Sequence, residues 1–179
     1  GLPNEEIAIA NGVVSAREKR AGLAEFAGIE AEGTFATTIR TYSYGAHACH
    51  IAVDPRTGHV EILDYVAIED VGRAINPLLV EGQIEGGVAQ GIGMALMEEF
   101  TPGQGEDLHD YLIPTIGDVP PIESILIECA SSAGPYGAKG GGEASLNSMA
   151  ANIANAVERA VGVRIRQAPL TPERVWRAM

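Results

Sequence analysis

A chain of 179 residues can build one sizeable core or two small lobes sharing one, and it is too short for a large multi-cofactor enzyme. Its 24 acidic against 12 Lys plus Arg residues leave a formal charge of −12, which argues against nucleic acid and acidic membrane surfaces as partners. No run approaches the roughly 18 apolar residues of a membrane span. The first residues carry no basic, apolar export signal, and Cys49 and Cys129 stand far apart, so a reduced cytoplasmic protein is expected rather than a disulfide scaffold.

Up to about residue 75 the pattern predicts strands, at 7–10, 13–16, 29–35, 47–53 and 60–68, punctuated by Gly12, Pro55 and Gly58. Pro55 and Gly58 fall where a turn between paired strands needs them, so the last two strands are expected to form a hairpin. His47, Cys49 and His50 are metal-ligand types. In a strand, however, the first two face one side and His50 the other, and no second cluster completes a tetrahedral set. The connection DVGRAINP at 70–77 reads as a turn with a local ion pair between Asp70 and Arg73, followed by an Asn76 cap and a Pro77 helix start.

After residue 76 helices dominate. The first is expected to run to about residue 99, with a break near Gly82. Within it, GQIEGGVAQGIG at 82–93 places Gln83, Gly86, Gly87 and Gln90 on one stripe. Five glycines there carry a large helix penalty, at about 1 kcal/mol each relative to alanine. Something must need the bare backbone: either close helix packing, or a floor for a flat or phosphorylated ligand with the two carboxamides as donors and acceptors. An acid- and glycine-rich loop at 101–109, a short extended piece and a strand at 122–130 follow. A second helix is marked by Leu146, Met149, Ala150, Ile153, Val157, Ala160 and Val161 and stopped by Gly162, and a short terminal helix opens at Thr171 and Pro172.

The run GAKGGGE at 137–143 ends directly before that second helix. Glycines followed by a helix start make a generic anion cradle, to which Lys139 adds charge. It is not a Walker A loop, because Gly140 rather than Ser or Thr follows the lysine. Glu143 is then either a cap that satisfies amides at the helix start or a reagent held beside a ligand.

Four segments in order, DVGRAINP at 70–77, GQIEGGVAQGIG at 82–93, YLIPT at 111–115 and GAKGGGE at 137–143, closely resemble the C-terminal portion of the molybdenum-binding large subunit of the xanthine dehydrogenase and aldehyde oxidase family. The likeness covers most of residues 41–179 and is thin over 1–40. The resemblance implies a mixed α+β molybdenum-cofactor-binding domain spanning 1–179, with a strand-rich lobe at 1–75 and a helix-rich lobe at 76–179. It also implies a molybdenum-pterin cofactor, as molybdopterin or its cytosine dinucleotide, shared with an upstream half of the large subunit. Glu143 matches the family's general base for oxidation of an aldehyde or N-heterocycle. Gln83 matches a cofactor-contacting glutamine, with Gln90, Lys139, Gly140, Gly141 and Gly142 close to the cofactor. Electrons would leave through an iron-sulfur subunit and a flavin (FAD) subunit, since this chain has no iron-sulfur cysteine set, and the chain alone would be inactive. The loop at 101–109 is shorter than the family's, and Ala144 and Ser145 stand where a proline commonly follows the glutamate. A non-catalytic scaffold or assembly domain packing against partner subunits is the alternative.

Overall fold

The structure is a computed structural model that describes residues 6–103 and 107–179. Its contacts divide into two compact units, Gly1–Ala36 and Thr37–Met179. The first is an antiparallel sheet of β1 (Ile7–Ala10), β2 (Val13–Ala16) and β3 (Lys19–Gly22), followed by a short 3-10 turn at Leu23–Phe26. Asn11 and Gly12 join β1 to β2, both at positive φ. That is the backbone a tight two-residue hairpin requires and the residue pair that adopts it most readily. β3 was not anticipated in the sequence. Conversely, residues 29–35 form no strand: Ile29 and Phe35 are exposed, and the segment has no strand partner among the described residues. Alternation alone makes no strand where no neighbouring edge supplies hydrogen bonds.

The second unit carries the core. β4 (Tyr44–Val53) and β5 (Val60–Asp70) form the expected antiparallel hairpin, longer than the apolar pattern indicated, and β6 (Ile122–Ile127) joins β5 in parallel. A parallel neighbour needs a crossover, and α1 (Pro77–Leu96) lies within it. The helix starts where Asn76 Oδ1 accepts from the Leu79 amide at 3.3 Å, with Pro77 at the first position. It runs through Gly82 without a break. Ile84, Val88, Ile92 and Ala95 repeat at helical spacing and are buried against the sheet and the later helices, which outweighs the glycine penalty.

β6 stops at Ile127, three residues short of expectation, because the next residues turn to cap other segments: Glu128 Oε1 accepts from Ala74 N at 2.7 Å. The expected second helix is two pieces, α2 (Ala144–Asn147) and α3 (Met149–Val161), meeting at Ser148. α3 ends at Gly162 in the left-handed conformation, as its position after the last apolar residue indicated. Met149, Ile153 and Val157 of α3 pack with Ile84, Val88 and Ile92 of α1 and with Tyr65 and Ala67 of β5. Leu170 and Val175, the latter in α4 (Pro172–Ala178), close the cluster. α4 is capped by Thr171, whose hydroxyl accepts from Arg174 N. Part of the acidic loop at 101–109, residues 104–106, lies outside the described residues. No helix of the described residues is long and apolar enough to cross a membrane.

Candidate functional site

The glycine run sits where three segments of the second unit converge. Asp70 closes β5, and the chain then reverses through Gly72 at φ 66°, which lets residues 71–73 run antiparallel to 137–139. Lys139 N donates to Val71 O and Arg73 N to Gly137 O, both at 3.0 Å. A Cβ at position 72 would lie 2.4 Å from Gly137 O, so only glycine permits this approach. The ion pair expected between Asp70 and Arg73 does not form. Asp70 Oδ2 instead accepts from Lys139 Nζ at 2.6 Å, with both side chains about 11% exposed. Asp70 Oδ1 takes the amides of Gly72 at 3.0 Å and Cys129 at 3.4 Å. The reversal at Gly72 brings the distant lysine alongside, and Arg73 stays exposed. Lys139 together with these amides holds the Asp70 carboxyl below its usual range.

Beyond Lys139 the loop has few ties of its own. Ser43 Oγ donates to Gly140 O, and among the described residues the amides of Gly140, Gly141, Gly142 and Glu143 enter no backbone hydrogen bond. Consecutive unpaired amides on a glycine backbone are a donor set for an anionic or heterocyclic acceptor. One side of the loop borders a cavity of about 320 Å³ lined by Gln83, Asn76, Arg73, Lys139, Gly141 and Gly142, among others. The Gln83 carboxamide nitrogen lies 3.8 Å from where a Cβ on Gly142 would be, so the amide faces the glycine backbone across this space.

The other side of the loop opens onto a cavity of about 510 Å³ that includes Ser43, Gly45, Gly140, Gly142, Glu143 and Asn147. Glu143 is exposed there. It occupies the capping position of α2 in helical conformation, yet its side chain makes no capping bond, and only its carbonyl is used, by Leu146 N and Asn147 N. The capping explanation for this carboxylate therefore fails. Gln83, Lys139, Gly141 and Gly142 are brought together, Gly140 and Glu143 face the adjoining cavity, and Gln90 lines neither. Gln90 is seven positions beyond Gln83, about 10 Å along the helix.

Ser43 and the partnership of Asp70 with Lys139 were not legible beforehand. A serine 97 positions away carries no local signal, and Asp70 read as the partner of its sequence neighbour. His47 and Cys49 face inward from β4 and His50 outward, as alternation required. The His47 side chain is fully buried and bridges Tyr65 OH and Glu69 Oε1, each at 2.8 Å, while Asn152 Nδ2 reaches Tyr65 OH at 3.3 Å. Among the described residues no group of three or more His, Cys, Asp or Glu is arranged to hold a metal ion.

Residues 1–120 match the sequence pattern of the molybdopterin cofactor-binding domain. The chain belongs to this family. The match reaches into residues 1–40, where the four segments gave little. The large subunit of nicotine 6-hydroxylase from Paenarthrobacter nicotinovorans is 36% identical over 97% of this chain and 25% of its own length. A xanthine dehydrogenase molybdenum-binding subunit of Escherichia coli O157:H7 is 37% identical over 83% of this chain and 20% of its own. Among solved structures, quinoline 2-oxidoreductase from Pseudomonas putida 86 superposes with a TM-score of 0.81 at 34% identity, covering 97% of this chain and 26% of that one. The chain thus spans about a quarter or less of the length of these relatives. The mixed α+β architecture is the family's. Among the described residues the amides of the glycine loop are unclaimed and a carboxamide faces them, a donor set that fits a pterin cofactor.

Proposed function

We propose that this chain supplies the general base and part of the pterin pocket of a molybdenum hydroxylase that oxidises an aldehyde or an N-heterocycle. The observation that carries this reading is Glu143, an exposed carboxylate that no cap or cation engages among the described residues, placed one residue beyond a run of glycine amides unpaired among them. Gln83 and the amides of Gly140, Gly141 and Gly142 would bind and orient the cofactor. A carboxamide donates and accepts at one edge, as a pterin ring requires. Gln90 would lie further along the same helix face, and Lys139 would border the cofactor with its charge already matched by Asp70. When bound, the molybdenum-pterin supplies the two-electron oxidation that the chain's own side chains cannot perform.

Glu143 would accept the proton of a water-derived oxygen as that oxygen bonds to the electron-poor carbon, and the hydrogen displaced from the carbon would leave with the electron pair that the cofactor's oxidation removes. Its place at the start of α2 sets where the backbone carries that acceptor. The names of the relatives, a large subunit and a molybdenum-binding subunit, support assembly with further chains. We propose the upstream half of the large subunit, an iron-sulfur subunit and a flavin subunit as partners in the cytoplasm, with the isolated chain inactive.

Replacing Glu143 by glutamine in the reconstituted complex tests the reading. Turnover should fall by about 10²- to 10⁴-fold, the usual worth of a positioned base, with molybdenum and pterin content unchanged. A near-normal rate would show that the base lies elsewhere. A stable complex lacking both molybdenum and pterin would favour the scaffold alternative.

A further inference from the structure

We propose that Asp70 is a positioning residue for Glu143, acting through Lys139; the role assigned to Glu143 rests on the proposed function. Three glycines separate Lys139 from Glu143, and a glycine backbone has no side chains with which to fix its own path. Ser43 Oγ holds the Gly140 carbonyl, and the rest of the carboxylate's position is set at the two ends of the run. Downstream, α2 is seated by Ser145, which is fully buried against α1: a Cβ on Gly87 would lie 2.1 Å from Ser145 Oγ. Upstream, the only charged anchor among the described residues is the Lys139 and Asp70 pair at 2.6 Å, both side chains about 11% exposed.

Asp70 gathers three segments on one carboxylate. It takes the Gly72 amide from the reversal after β5, the Cys129 amide from the stretch after β6, and the Lys139 ammonium from the glycine loop. Lys139 is also held through its main chain to Val71. A lysine committed in this way is a tether and not a free cation for an incoming ligand, although its side chain borders the cavity beside Gln83. The pair is nearly dry, so removing either partner strands the other charge, and the loop relieves that cost by moving away from β5.

The variants D70N, K139M and D70N/K139M in the reconstituted complex test this. The asparagine keeps an oxygen to accept from Gly72 and Cys129, so the fold has its ties without the charge. Amide hydrogen exchange across 138–143 should rise by about tenfold in both single variants, with exchange in α3 unchanged. Turnover should fall by about ten- to a hundredfold through kcat, with KM and pterin content retained. The double variant should be no worse than the poorer single one, because both lesions break one tether. Unchanged loop exchange would overturn the proposal. So would pterin loss confined to K139M, which would make Lys139 a ligand contact, and so would faster exchange spread through α3, which would make the pair merely structural. If loop exchange rises as expected while E143Q retains turnover, the tether stands and the base assignment falls.

Discussion

Two carboxylates of this chain are held in opposite ways, and their side chains are expected to behave accordingly. Glu143 is exposed with its side chain unengaged, whereas Asp70 is enclosed by a cation and two amides. Because the Asp70 carboxyl is held below the ordinary value of 3.8, its ion pair contributes stability that is fully present above about pH 4 and is lost as pH falls through the depressed value. Acid unfolding followed by circular dichroism should therefore lose a component below about pH 4 that D70N lacks. Tyr65 gives the alkaline counterpart. Burial pushes its hydroxyl up to about 12, opposed by the Asn152 hydrogen bond and reinforced by the nearby Cys49 and Glu69 charges. The unfolded tyrosine ionises near 10, so stability should be complete below about pH 10 and decline between pH 10 and 12, with ultraviolet tyrosinate absorbance reporting Tyr65 late. Tyr65→Phe leaves His47 Nδ1 and Asn152 Nδ2 without their shared partner. It should cost about 1 to 3 kcal/mol in denaturant titrations and remove the Tyr65 contribution to the alkaline decline.

At the scale of elements, the glycines of α1 fall into two classes, those that admit a neighbouring helix and those that face open space. On the side facing α2 and α3, a Cβ on Gly87 would strike Ser145 and one on Gly91 would lie 2.4 Å from Met149 Cβ, so these two glycines let helices approach closely. Gly82 and Gly86 meet nothing within 4 Å and flank the exposed Gln83. Gly87→Ala and Gly91→Ala should each destabilise by about 1 to 3 kcal/mol through overpacking. Gly86→Ala should instead stabilise by about 0.5 to 1 kcal/mol, since the added methyl restricts the unfolded chain and collides with nothing. Thermal and denaturant unfolding of the four alanine variants at positions 82, 86, 87 and 91 separates the two classes. If the open pair forms part of the cofactor floor, Gly86→Ala should also reduce pterin content in the complex while raising stability.

For the whole molecule, the distribution of apolar surface is the informative quantity. Leu78 and Leu79 at the start of α1, Tyr136 before the glycine loop and Ile116 are more than two-thirds exposed, in a chain whose charge of −12 otherwise favours solution. Single exposed apolar residues are ordinary, but Leu79 lines the cavity beside Gln83, and Leu78 and Tyr136 stand within two residues of its lining, as in a chain that completes its pocket against another. The isolated chain is expected to bind a hydrophobic dye, and assembly with the upstream half of the large subunit should abolish that fluorescence. A complex that binds the dye as strongly as the isolated chain would place the contact surface elsewhere.

Local pattern carried a good deal. The spacing of apolar residues located α3, because burial of one face is written directly into sequence periodicity, while Pro77 opened α1 and Pro55 with Gly58 marked the turn of the β4 and β5 hairpin. Asn76, Gly162 and Thr171 marked helix ends because caps depend on a few adjacent atoms. The four ordered segments carry the family resemblance without reference to the fold. What they left open was non-local. Whether residues 29–35 find a strand partner, whether Asp70 pairs with Arg73 or with Lys139, and whether the Glu143 side chain caps its helix depend on which surfaces meet. Sequence fixes the chemistry each residue can offer, but a hydrogen bond or a buried ion pair also needs a partner at about 3 Å, and only the tertiary structure brings residues 70 and 139 to that distance.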